Sequence, residues 1–111
     1  LALALHRQTR DEGALCDTLI TMAAVERQIG RGDEAVRTAK QAVDLGEGSG
    51  DSSRRCKALE ALGDALTATG QTATARSTYE VALNLLEELQ DPGLRRLRVR
   101  LAASRDSLDA A

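Results

Sequence analysis

Residues 59–87 read LEALGDALTATGQTATARSTYEVALNLLE, and this stretch decides the fold. Leu59, Leu62 and Leu66 recur at the spacing of one helical face. Gly70 then breaks the pattern, as a residue able to take the left-handed conformation that stops a helix. Ala75, Tyr79, Ala82, Leu83 and Leu86 resume a helical period beyond it. Two helices joined by a tight turn run antiparallel.

The same pattern stands 40 residues earlier. Leu19 matches Leu59, Gly30 matches Gly70, Ala35 matches Ala75, and Cys16 matches Cys56. Asp11, Asp51 and Asp91 keep the register, as do Ala2, Ala42 and Ala82. Leu5, Leu45 and Leu85 do so too, and so do Leu3, Val43 and Leu83. A fixed period of this length means stacked helical units, each too small to bury its own apolar face. The expected fold class is all-α, an α-solenoid of antiparallel helix hairpins with a C-terminal capping helix. One domain is expected over 1–111. Its parts are the end of a truncated repeat (1–10), repeats over 11–50 and 51–90, and a cap over 91–111.

Expected helices lie near 1–8, 12–29, 33–45, 52–69, 73–90 and 93–108. Asp11, Asp51 and Asp91 are the expected N-caps, the last with Pro92 at the first helical position. Gly46 is the expected end of the helix before the 46–53 linker, GEGSGDSS. That linker lacks the preceding strand and the Lys-Ser/Thr ending of a phosphate loop. Leu15, Leu19, Met22 and Ile29 share one face of the first long helix, with Ala23 beside them.

Composition narrows function by exclusion. The chain has 111 residues, 42% hydrophobic and 29% charged, and Tyr79 is its one aromatic. The core must therefore be built from Ala, Leu and Val at close helix spacing. A net charge of −2 argues for neither nucleic acid nor an acidic partner. That charge is uneven: residues 1–32 balance, 33–91 sum to −5 and 92–111 to +3. No apolar run approaches the roughly 20 residues of a membrane helix, and the opening LALAL is not a signal peptide. The chain begins in mid-repeat without Met, so a piece of a larger protein is expected. Arg far outnumbers Lys and Ala is abundant, the bias of a GC-rich bacterial genome. Cys16 and Cys56, at one site in successive units, are expected to be buried free thiols of a cytoplasmic protein.

These units resemble the tetratricopeptide repeat. In the better unit, Leu62-Gly63 resembles the Leu-Gly of the family's first helix and Gly70 the turn. Ala75 and Ala82 resemble its small residues, and Tyr79 its aromatic. The preceding unit matches at Met22, Ala23, Gly30, Ala35, Ala39 and Ala42. It departs at Ala39, where an aromatic is usual, and at Glu26, which stands in the place of Leu66. The family's Trp and late Pro are absent, with Leu59 and Glu87 in their places. The common unit has about 34 residues. The longer unit here resembles those of bacterial regulators that join such an array to a DNA-binding or nucleotide-binding domain.

The resemblance implies that first helices line a groove for partners. The groove stripe would be Asp17, Ile20, Ala24 and Arg27, then Lys57, Glu60, Asp64 and Thr67, then Leu97, Arg100, Ser104 and Ser107. Asp17, Ile20, Arg27, Lys57, Glu60, Asp64 and Arg100 are the candidate binding residues, against the alternative of a solvated face without a ligand. The family's Lys/Asn carboxylate clamp is missing, since the only Asn is Asn84 on a second helix. Leu94, Leu97, Leu101 and Leu108 form a seam at heptad spacing, with Ser104 in the remaining place. It serves either as a cap on the last repeat or as a homodimer seam. The five arginines of the last helix spread around it and make no phosphate stripe.

No catalytic constellation is expected. His6 is the sole His and reads as an exposed turn residue. There is no HExxH, CxxC or Ser/His/Asp set, and no metal or cofactor site is expected. The chain reads as an interaction module for a protein or peptide, with no direct nucleic acid or membrane contact, in a larger regulator. Two other readings stay open: a sensing domain for a small molecule or signalling peptide, and a non-catalytic accessory part of an enzyme.

Overall fold

The computed structural model describes the backbone of residues 2–109 and the side chains of residues 12–109 other than Ser49. The side chains of His6 and Asp11 lie outside the described residues, while the backbone at residue 6 is helical, which corrects the turn expected there. The elements are α1 (Ala2–Gln28), α2 (Gly32–Ser49), α3 (Ser52–Ala68), α4 (Thr72–Leu89), a 3-10 turn (Pro92–Leu94) and α5 (Arg95–Asp109). There is no strand among the described residues, and consecutive helices pack on one another. No helix among them is long and apolar enough to cross a membrane.

The two hairpin turns are copies. Gly30 has φ 84° and Gly70 φ 79°. The amide of Arg31 donates to Glu26 O at 2.8 Å, and that of Gln71 to Leu66 O at 2.9 Å. Gly30 N donates to Arg27 O, and Gly70 N to Thr67 O. This paired pattern closes the free carbonyls of a helix end and requires the left-handed residue that glycine supplies. Asp51 caps α3 by accepting from Arg54 N at 3.1 Å. Asp91 accepts from Gly93 N at 2.8 Å and opens the 3-10 turn with Pro92.

Two expected boundaries are corrected. α1 runs unbroken through residue 11, so Asp11 starts no helix. α2 continues past Gly46 to Ser49 and ends on Gly50, in the left-handed conformation at φ 74°. Gly46 has a packing task instead. A Cβ there would stand 3.2 Å from Arg55 Cα, so its absence brings α2 close to α3. At the equivalent of Gly50, α4 ends on Gln90, left-handed at φ 51°.

The interior is aliphatic. Cys16, Leu19, Ala42 and Ala58 form one cluster between α1, α2 and α3. A larger one runs from Ala35 and Val36 through Leu59, Leu66, Tyr79 and Leu86 to Leu97, Leu101 and Leu108. Val43 packs against both, so the core is continuous along the stack. Both cysteines are free and buried. Cys16 Sγ reaches Ala42 O at 3.2 Å and Cys56 Sγ reaches Ala82 O at 3.8 Å, one contact repeated with the period.

α5 breaks the repeat. Positions that α1 and α3 both bury (16/56, 19/59 and 23/63) correspond in α5 to Arg96, Val99 and Ala103, all exposed. α5 instead buries Leu97, Leu101 and Leu108 against the last hairpin, with half-buried Leu94 packed alongside. The leucine seam thus faces the chain's own core. Leu97, placed by its spacing in the groove stripe, is buried there and corrects that assignment. A second correction falls on α1: Leu19 is buried, but Leu15, Met22 and Ile29 are exposed.

Candidate functional site

α1, α3 and α5 carry the groove candidates, and α3 lies between the other two. Ile20, Ala24 and Arg27 of α1 meet Lys57, Glu60, Ala61 and Asp64 of α3 around a depression of about 90 Å³. Arg27 and Asp64 are shared with a second hollow of about 230 Å³, completed by Thr67, Ala68, Tyr79, Ser104 and Ser107. The two hollows form one groove. The small residues Ala24 and Ala61 leave its floor open, and the 3-4-3 spacing on each helix supplies its walls.

The charges are sorted by partner. Arg54 holds Asp17 at two points, Nε to Oδ1 at 2.9 Å and Nη2 to Oδ2 at 3.1 Å. Those hydrogen bonds keep the Asp17 carboxyl below the usual carboxylate range. Arg54 also stands 3.4 Å from Asp51. Arg100 reaches from α5 to Glu60 on α3 in a similar fork, with Nη2 to Oε1 at 2.8 Å. The fork geometry suits guanidinium and carboxylate, and it ties neighbouring units together. Lys57 and Arg27 have no carboxylate at ion-pair distance among the described residues, although Arg27 lies beside Asp64 in the groove.

Asp64 sits at the centre. The Tyr79 hydroxyl donates to its Oδ1 at 2.6 Å, and Thr67 Oγ1 lies 3.5 Å from the same hydroxyl. Burial lifts the Asp64 carboxyl above its ordinary range, opposed by the Tyr79 hydrogen bond. Burial, then the hydrogen bond to Asp64, pushes the Tyr79 hydroxyl well above its ordinary value. Each shift follows from moving the pair out of water.

All seven sequence candidates lie on this face, but they are not equivalent. Ile20, Arg27, Lys57, Glu60 and Asp64 converge on the first hollow. Asp17 and Arg100 stand outside its lining, each in an ion pair. Sequence reasoning missed Arg54, because its partner lies 37 residues away in the previous unit. It also missed the Tyr79 hydroxyl, having assigned the ring to the core alone. Such a site can bind through shape, charge and hydrogen bonds. No group of three His, Cys, Asp or Glu among the described residues could hold a metal ion.

Comparison with known proteins fits this geometry. The chain is 33% identical over 91 residues to the regulatory protein AfsR of Streptomyces griseus. That match covers 82% of this chain and 9% of AfsR, so the chain spans under a tenth of its relative. No solved structure gives a significant match. The tetratricopeptide-repeat family profile matches residues 14–88, from within α1 to the end of α4. With two such hairpins stacked in register, the chain belongs to the tetratricopeptide-repeat family.

Proposed function

We propose that the chain is a protein-interaction segment of a larger bacterial regulatory protein, and that its groove on α1 and α3 binds a protein or peptide. The supporting observation is the convergence of Ile20, Ala24, Arg27, Lys57 and Asp64 from two units on one hollow. Arg27 and Lys57 bring positive charge to it with no carboxylate at ion-pair distance among the described residues, and the neighbouring acids are held by Arg54, Arg100 and Tyr79. Its part in the parent is recognition or autoinhibition in the cytoplasm, with any catalysis elsewhere. The relative's description as a regulatory protein supports that setting.

The test selects binders to the chain from a random displayed peptide library. The best peptide is then titrated by calorimetry against the chain and its Arg27→Glu/Lys57→Glu variant. A loss of affinity of about tenfold or more is expected for removing two charged contacts. Equal affinity for both proteins, or no binder at all, overturns the groove assignment.

A further inference from the structure

The α2–α3 and α4–α5 junctions are not copies, and their difference opens a hollow. At the first, Gly46 lets α3 lie against α2, where a Cβ would stand 3.2 Å from Arg55 Cα. Arg55 Nη2 there stands 3.7 Å from Glu47 Oε1. Forty residues on, the same register positions are Leu86, Arg95 and Glu87. Leu86 carries the side chain that Gly46 lacks, and the 3-10 turn over Pro92–Leu94 delays the start of α5 to Arg95. A hollow of about 380 Å³ lies between the end of α4 and the start of α5. Glu87 and Arg95 both line it, yet unlike Glu47 and Arg55 they form no ion pair. Arg98, one turn further along α5, lines it as well. Neither arginine has a carboxylate at ion-pair distance among the described residues. Gln90 completes the polar lining, and it stands in the left-handed region at φ 51°. Gly50 holds the equivalent place in the first unit. Strain of this kind persists where the side chain has a task. Leu86, Pro92 and Leu94 give the hollow an apolar wall. The remaining acid, Asp91, accepts from Gly93 N at 2.8 Å.

We propose that this hollow binds a free apolar α-amino acid. Its carboxylate meets Arg95 and Arg98, its ammonium group meets Glu87 and Gln90, and its side chain lies against Leu86 and Pro92. The charges select this occupant. A simple anion would leave Glu87 without a partner, and a simple cation would leave both arginines without one. A peptide backbone inside a chain carries neither charge. A small zwitterion satisfies both signs at once, and the volume falls in the range of small-ligand sites. The hollow shares no lining residue with the groove on α1 and α3, so the proposal stands apart from that reading.

The test titrates the isotope-labelled chain with each standard apolar amino acid and follows its amide shifts by NMR, with leucine as the reference probe. Expected is saturable binding of leucine that moves the amides of Gly93 and Leu94. Leucinamide lacks the carboxylate and N-acetylleucine lacks the ammonium group, so each should bind at least about tenfold more weakly. Glu87→Gln and Arg95→Gln should each weaken leucine binding by a similar factor. Gln90→Gly should weaken it too without lowering Tm, which separates a contact with the ligand from a contribution to the fold. Saturable binding by none of the apolar amino acids overturns the proposal. Equal binding of leucine and its two derivatives also overturns it, since the hollow would then be an apolar cleft only. Full affinity for leucine in any of the three variants does the same.

Discussion

The ring of Tyr79 on α4 fills the space that a side chain on Gly63 of α3 would need: a Cβ there would stand 2.5 Å from Tyr79 Cε1. The two residues are therefore one fit, and the better hairpin closes around it. Gly63→Ala should destabilise the chain by about 1–3 kcal/mol, as overpacking of a tight interior does. Tyr79→Ala should cost about 3–5 kcal/mol, since Tyr79 is only 2% exposed. Urea unfolding checks both. The double variant should lose less than the two losses added together, because the methyl added at 63 no longer meets the ring and fills part of the space it leaves; strict additivity would deny the coupling.

Asp64 and Asp17 should imprint opposite pH dependences on stability. The Asp64 carboxyl is raised above 3.8 in the fold, so the folded chain holds that proton more tightly. Its contribution is fully present below 3.8 and is lost as pH rises through the raised value. The Asp17 carboxyl is lowered, so its contribution is present above 3.8 and lost as pH falls through the depressed value. Urea midpoints measured across the acid range should show Asp64→Asn removing the decline above 3.8 and Asp17→Asn removing the one below. Tyr79→Phe removes a hydrogen bond that favours the carboxylate, so NMR titration should find Asp64 raised further.

Gln90 should be a stabilising site. It ends α4 in the left-handed region, where a side chain crowds the following carbonyl. Gly50 holds the equivalent place in the first unit without that penalty. Gln90→Gly should gain up to about 1 kcal/mol, the left-handed cost less the added freedom of the unfolded chain. Thermal melting of the variant checks it, and a fall in Tm would show that the Gln90 side chain contributes more than its backbone costs.

The two thiols should be inert. Burial raises both Cys16 and Cys56 above the ordinary thiol value, and neither is exposed. Thiolate is the reactive form, so a thiol reagent should label neither residue in the native chain and both after unfolding. Fast native labelling of either would mean that its hairpin opens readily.

The position of the candidate groove residues was legible in two steps, the family resemblance pointing to the first helices and helical spacing picking one stripe on each. Ile20, Arg27, Lys57, Glu60 and Asp64 were placed on the groove by counting along two helices, and they line one hollow. The ion pairs were not legible. Asp17 with Arg54, and Glu60 with Arg100, join residues 37 and 40 apart, and only the stacking offset decides which cation reaches which acid. Spacing marked the α5 leucines as a seam but could not choose between cap and dimer, nor tell that Leu97 belongs to the core rather than to the groove stripe.

What the chain alone determined was local and periodic: helices from apolar recurrence, hairpins from Gly30 and Gly70, and a family from the small residues that allow close packing. What only the tertiary structure decided was which side of each helix is covered. Leu15, Met22 and Ile29 are as apolar as Leu19, yet they stand in solvent while Leu19 is buried. Burial depends on a neighbour being there, and a helix's own residues state its preference for one without supplying it. Gly46 shows the same divide: its sequence reads as a stop, but the approach of α3 makes it a point of contact within α2.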